Sequence, residues 1–167
     1  ANENGADVLV LDHHIADEVL PPALAIVNPK RKDECGELDY LCAAGVVFLF
    51  LVSSSRLLRS RKISVPELMN FLDLVALATV ADVVPLIKLN RAIVSQGLKV
   101  LAKRNRPGLI ALIDEAKIKA HPTSHHLGYF LAPRINAAGR LSDAKLAINL
   151  LTAKSEYESV KIANKLS

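Results

Sequence analysis

Asp7-Val8-Leu9-Val10-Leu11-Asp12-His13-His14 is the stretch on which the fold turns. Its first five residues form a short, β-branched apolar run. The run ends abruptly in one carboxylate and two imidazoles. A buried parallel strand that carries a site at its carboxyl end has this form. In open α/β sheets, ligands gather at that end. A second short strand is predicted over Ala25 to Val27, bounded by Pro21-Pro22 and Asn28-Pro29, with a charged loop from Lys30 to Glu37 after it. Two strands do not make a stable parallel sheet alone. Either further strands are hidden in the chain or the sheet continues in sequence outside it.

Downstream the pattern turns helical. Leu38 to Arg59 is apolar nearly all round in its first half, which predicts a deeply buried helix. Ser64-Val65-Pro66-Glu67 has the form of a capping box that opens a helix through Leu68, Phe71, Leu72, Val75 and Leu77. Pro85 should stop it. Asn90 to Arg104 reads as an amphipathic helix with Ile93, Val94, Leu98 and Leu101 inward, and a short helix is predicted over Leu109 to Ala116. A His- and Pro-containing loop leads to Gly128–Leu141, and two helices near Asp143–Leu151 and Ser155–Leu166 close the chain.

The chain has 167 residues, half of them apolar, enough for a domain with a real core. Leu41 to Val52, the longest apolar run, is too short for a bilayer span. There is no basic region followed by an apolar stretch at the start, hence no secretory signal, and no first Met, which suggests a piece of something longer. Cys35 and Cys42 make no disulfide framework. A cytoplasmic setting without a membrane partner fits. The net charge of +4 is unevenly spread. Ala1 to Asn28 carries only acids (Glu3, Asp7, Asp12, Asp17, Glu18), and Lys88 to Arg106 only bases (Lys88, Arg91, Lys99, Lys103, Arg104, Arg106). An acidic segment with histidines suits a cation. The basic stretch is either a solvated helix face or a surface for a polyanion.

Three constellations could carry chemistry. Asp12-His13-His14 can ligate a divalent metal and orient a phosphate, or be no more than a polar turn. Asp82 is a lone acid in an apolar stretch, where a buried carboxylate must be paired, hydrogen-bonded or metal-bound. It is either a metal ligand or a helix-end cap on backbone N–H groups. Ala132-Pro133-Arg134-Ile135-Asn136-Ala137-Ala138-Gly139-Arg140-Leu141 sets two arginines around an Asn and a run of small residues. Arginine forks suit phosphate oxygens, although a surface turn with solvated arginines reads equally well. His121, His125 and His126 match no common zinc spacing and read as loop or surface histidines.

Taken together the segments are more specific. Val8 to His14 resembles the motif that names the DHH phosphoesterases. Leu20 to Pro29, Ala43 to Phe48, Leu74 to Leu86 with Asn90-Arg91, and Ala132 to Leu141 resemble the RecJ branch of that family, in order and spacing, over nearly the whole chain. The resemblance implies an α/β fold: the C-terminal part of a DHH-type parallel-sheet domain over residues 1–141, helix-rich, then a helical connector over 142–167. It implies a 5′-to-3′ exonuclease on single-stranded DNA in recombination and repair, using Mn²⁺ or Mg²⁺, with two ions in the intact protein. His13 and Asp82 would be metal ligands, Asp12 would ligate or orient, and His14 would face the scissile phosphate. Arg134, Asn136 and Arg140 would contact DNA phosphates or shape the groove.

The family's earlier aspartate motifs and later Gly-Gly-His domain have no counterpart in the chain. A hard divalent cation wants about six donors, more than these residues supply. This piece alone is therefore expected to bind metal weakly and not to cleave DNA. Two rival readings stand: another DHH phosphodiesterase acting on short oligonucleotides, and a non-catalytic DHH-like DNA-binding or scaffold module.

Overall fold

The computed structural model of the chain describes residues 4–140 and 144–166. It divides into two compact units, Ala1–Leu68 and Met69–Ser167. In the first, strands β1 (Leu9–Leu11) and β2 (Ala25–Val27) pair in parallel with Leu9 opposite Ala25 and Leu11 opposite Val27. The ladder is extended at both ends. The Leu24 N–H donates to Val8 O (2.8 Å) and the Asp12 N–H donates to Val27 O (3.0 Å). Both strands fall where the apolar runs place them, and there is no third strand among the described residues. Leu9 and Val27 stay exposed, so the burial expected of these strands is not met within the chain.

Helix α1 (Ala43–Ser60) lies against β1. It begins five residues later than its apolar pattern suggests, because residues 38–41 form a turn in which the Leu41 N–H donates to Leu38 O. It is not deeply buried: only Gly45, Val46 and Ser55 are, beside Leu41 and Cys42 just before it. By length and composition α1 could cross a membrane. Its second half, with Ser53-Ser54-Ser55, Arg56 and Arg59, is far more polar than its first.

The second unit is helical. A 3-10 turn (Leu68–Phe71) leads into α2 (Leu72–Ala81), followed by α3 (Lys88–Ala102) and α4 (Pro107–Glu115). The expected capping box at Ser64–Glu67 does not form, and that segment has no regular structure. Pro66 biases the residue before it towards extended backbone, and α2 draws on a different carboxylate. Asp73, in its first turn and 5% exposed at the side chain, accepts from the Leu74 N–H (2.8 Å) and from Arg106 Nε (3.0 Å).

α2 and α3 pack closely. A Cβ on Gly97 would stand 2.2 Å from the Leu72 carbonyl oxygen, which is why that position holds no side chain. After α5 (Ser124–His126) the chain passes through a π-helical turn (Leu127–Leu131) straight into α6 (Ala132–Arg140). The segment read from sequence as a possible surface turn is thus a helix. α7 (Ala144–Thr152) and α8 (Glu156–Ala163) pack back onto α4. The core of this unit is built from Leu77, Val94, Leu109, Leu112, Leu131 and Leu150, among others.

Candidate metal and nucleic-acid site

Asp12, His13 and His14 follow directly from β1, at the carboxyl end of the parallel pair. Asp12 still donates its N–H to the ladder, and beyond it the chain leaves the sheet, so the side chains can turn towards one another. The His14 ring does so: its Nδ1–H donates to Asp12 Oδ1 at 2.8 Å. The His13 and His14 rings sit 4.4 Å apart, tilted by 50°. The bond from His14 holds the Asp12 carboxyl below the usual carboxylate range. Backbone N–H groups of His13 and His14 act in the same direction, and partial burial opposes them. Asp12 is therefore an anion at neutral pH, next to two imidazoles.

Asn28 fixes this loop from behind, a role the sequence reading missed. It is buried at 4% exposure. Its Nδ2 donates to His14 O (2.8 Å), while its Oδ1 accepts from the Lys30 N–H (2.9 Å). The signal was available in Asn28-Pro29, since Asn before a turn bonds its own backbone two residues on. Arg31 extends the support, donating to Ile26 O at 2.7 Å while paired with Asp33. The end of β2 is thereby tied to the loop that follows β1.

Asp82 lies in the second unit. Its environment differs from the buried one expected: it is exposed, at the C-terminal end of α2. A helix C-terminus is negative, so an acid there is unfavourable by about 0.3–1 kcal/mol. Val83, the next residue, has φ +57° and is 87% exposed. For a β-branched residue that backbone is strained. Beside these two residues opens a cleft of about 640 Å³. It is lined by Val80, Ala81, Val84 and Leu86 from the end of α2 and the segment after it, and by His125, Tyr129 and Asn136 from α5 to α6.

The structure separates the arginine segment by face. Asn136 lines the cleft. Arg134, two positions away on α6, points elsewhere, as residues at that spacing must. Its Nη1 donates to Phe130 O at 2.7 Å. Arg140 ends α6, and its side chain, like Leu141, lies outside the described residues. Of the predicted residues, Asp12, His13 and His14 belong to one unit, and Asp82, Arg134 and Asn136 to the other.

The basic stretch is not simply a solvated face. Arg104 donates to both oxygens of Asp114 at 2.7 Å, Arg106 pairs with Asp73, and Arg91 donates to Leu86 O at 3.3 Å. At least these three arginines are thus engaged within the fold.

Carboxylate and imidazole donors fit a divalent first-row metal or Mg²⁺ in chemical type. No three such side chains converge among the described residues, so the donors present are a partial set.

Residues 1–79 match the DHH family, N-terminal domain. The single-stranded-DNA-specific exonuclease RecJ of Escherichia coli (strain K12) is 40% identical across 99% of this chain, which spans 30% of that relative. The crystal structure of RecJ in complex with Mn²⁺ from Thermus thermophilus superposes with a TM-score of 0.82 at 33% identity, covering 98% of this chain and 24% of that one. The corresponding structure in complex with Mg²⁺ gives 0.73 at 30% identity, covering 97% and 23%. The chain thus spans less than a third of these proteins, and over nearly its whole length it matches the RecJ type of the DHH family in sequence and fold.

Proposed function

We propose that this chain supplies part of the catalytic domain of a metal-dependent exonuclease that degrades single-stranded DNA from 5′ to 3′ in recombination and repair. Residues 1–141 are the later part of the DHH domain and 142–167 lead on from it. The observation that carries the reading is the Asp12–His14 pair at the end of β1, its carboxylate held ionised and its loop locked by buried Asn28. A polar turn without a role needs no such support.

In this reading Asp12 and His13 are metal donors from the first unit and Asp82 is a donor from the second, for Mn²⁺ or Mg²⁺ in the intact protein. A metal held by these residues would supply activation of water and neutralisation of charge on the phosphoryl group. His14, oriented by Asp12, faces the scissile phosphate. The exposure of Asp82 at an unfavourable helix end, beside a strained Val83, is a local cost that a ligand role accounts for. Arg134, Asn136 and Arg140 contact the strand or shape its groove, Asn136 from the cleft wall and Arg134 from another face of α6.

The test is a nuclease assay on the full-length gene product with Mn²⁺ and a 5′-phosphorylated single strand. Turnover is expected, abolished by chelation and by His13→Ala or Asp82→Ala. The purified 167-residue chain is expected to give none, since its donors fall short of the roughly six a hard cation needs. Full activity in His13→Ala, or stronger activity on dinucleotides than on long strands, would overturn the assignment.

A further inference from the structure

The cleft beside Asp82 has a second feature, which rests on the reading above and extends it. Tyr129 is 73% exposed, so its ring contributes little to the core. It is not loose, however: the His125 ring, one helical turn earlier, lies 4.5 Å away and tilted by 32°. The Phe130 ring meets His125 edge-on at 5.8 Å and is also partly exposed. Tyr129 and Asn136 both line the cleft, together with the aliphatic Val80, Val84 and Leu86. Tyr129 sits inside the π-helical turn, and such turns are frequent at functional sites.

A nucleobase matches this lining: a flat apolar face with a polar edge. Aromatic platforms for successive bases are how single strands are gripped without sequence preference. The volume, about 640 Å³, falls in the range of small-ligand sites, roughly 300–1,000 Å³. The cleft also adjoins Asp82, whose neighbours Ala81 and Val83 form part of its lining. A base held there would belong to a nucleotide close to the reacting phosphate.

We infer that this cleft is a nucleobase subsite: Tyr129, held in place by His125, stacks on one base of the single strand while the Asn136 amide meets that base's polar edge. A ring already braced by its neighbour loses little freedom on binding. The site selects for an unpaired base, because a base within a duplex does not offer its face.

The experiment uses the full-length gene product under chelation, so that strands are bound and not cut. Affinity is read by fluorescence anisotropy for a single strand of about 12 nucleotides and for a series in which one base at a time is replaced by an abasic position. With the wild type, one position near the 5′ end should weaken binding roughly five- to a hundredfold. Tyr129→Ala should weaken the intact strand by the same factor and erase that position's effect, whereas Tyr129→Phe should preserve it. His125→Ala should blunt it. An abasic profile identical in wild type and Tyr129→Ala, with strand binding intact, overturns the subsite and leaves the exonuclease reading standing. A wild-type protein that binds no single strand overturns both.

Discussion

At the scale of single residues, the Asp12–His14 bond (2.8 Å) and the Asn28 latch behind it make the most specific claims. Asp12 has its folded pKa depressed, first by the bond from His14. Its contribution to stability is therefore present above the unfolded carboxylate pKa and is lost as pH falls through the lower folded value. Side-chain carboxyl NMR should show Asp12 titrating below the ordinary range, and His14→Ala should move the midpoint up towards it. An unchanged midpoint would mean that the pair is not formed in solution. Asn28→Ala should cost about 1–3 kcal/mol in denaturant unfolding, because it strips the His14 carbonyl and the Lys30 N–H of their partner in a buried setting. Asp12-His13-His14 was legible in sequence because a polar cluster interrupts an apolar strand. The local Asn28 turn was legible in Asn28-Pro29, but its reach to the His14 carbonyl was not, because an Asn-Pro turn looks the same whether or not another loop meets it.

At the scale of elements, α2, α3, α4, α7 and α8 form where the periodicity places them, α6 forms where a surface turn stood open, and the helix ends were hard to read. α1, α2, α3 and α4 are followed by Lys62, Val83, Arg104 and Lys117, all with φ between +53° and +62°. In α1 and α4 the full C-terminal double bond is present, with Lys62 N–H to Arg59 O and Ile63 N–H to Leu58 O, and Lys117 N–H to Asp114 O and Ile118 N–H to Ile113 O. Glycine normally marks that position. Its absence removed the usual punctuation, and left-handed Lys, Arg and Val carry no sequence signal. The α2–α3 contact gives the firmest element-scale test. Gly97→Ala should destabilise by about 1–3 kcal/mol, since its Cβ would stand 2.2 Å from a backbone oxygen that cannot give way. Gln96→Ala, on the exposed face of the same helix, should be near neutral in the same thermal scan.

At the scale of the whole molecule, the two units differ in how much core they own. The connected apolar core runs from Ala76 to Leu166, entirely within the second unit. The buried apolar residues of the first unit are Leu41, Cys42 and Val46 among those described. A two-stranded sheet with exposed Leu9 and Val27 is a weak foundation. Hydrogen exchange should therefore show residues 4–60 of the isolated chain exchanging well before α2, α3 and α4. Equal protection across both units would contradict this reading. The pair Asp73–Arg106 joins the start of α2 to the start of α4 and helps set the order within the second unit. It was invisible in sequence, where Arg106 looked like one more charge in a basic run.

Local chemistry determined much of this protein before any fold was considered. Apolar runs set the strands, periodicity set most of the helices, and residue type nominated Asp12, His13, His14 and Asp82 as metal donors. Tertiary structure alone decided which of these groups are exposed, that Arg104 and Arg106 are held by Asp114 and Asp73, and that Tyr129 and Asn136 line one cleft. The physical reason is range. Propensity and periodicity act over a few bonds along the chain. Burial and pairing depend on residues brought together from 10 to 33 positions apart, which no local pattern encodes.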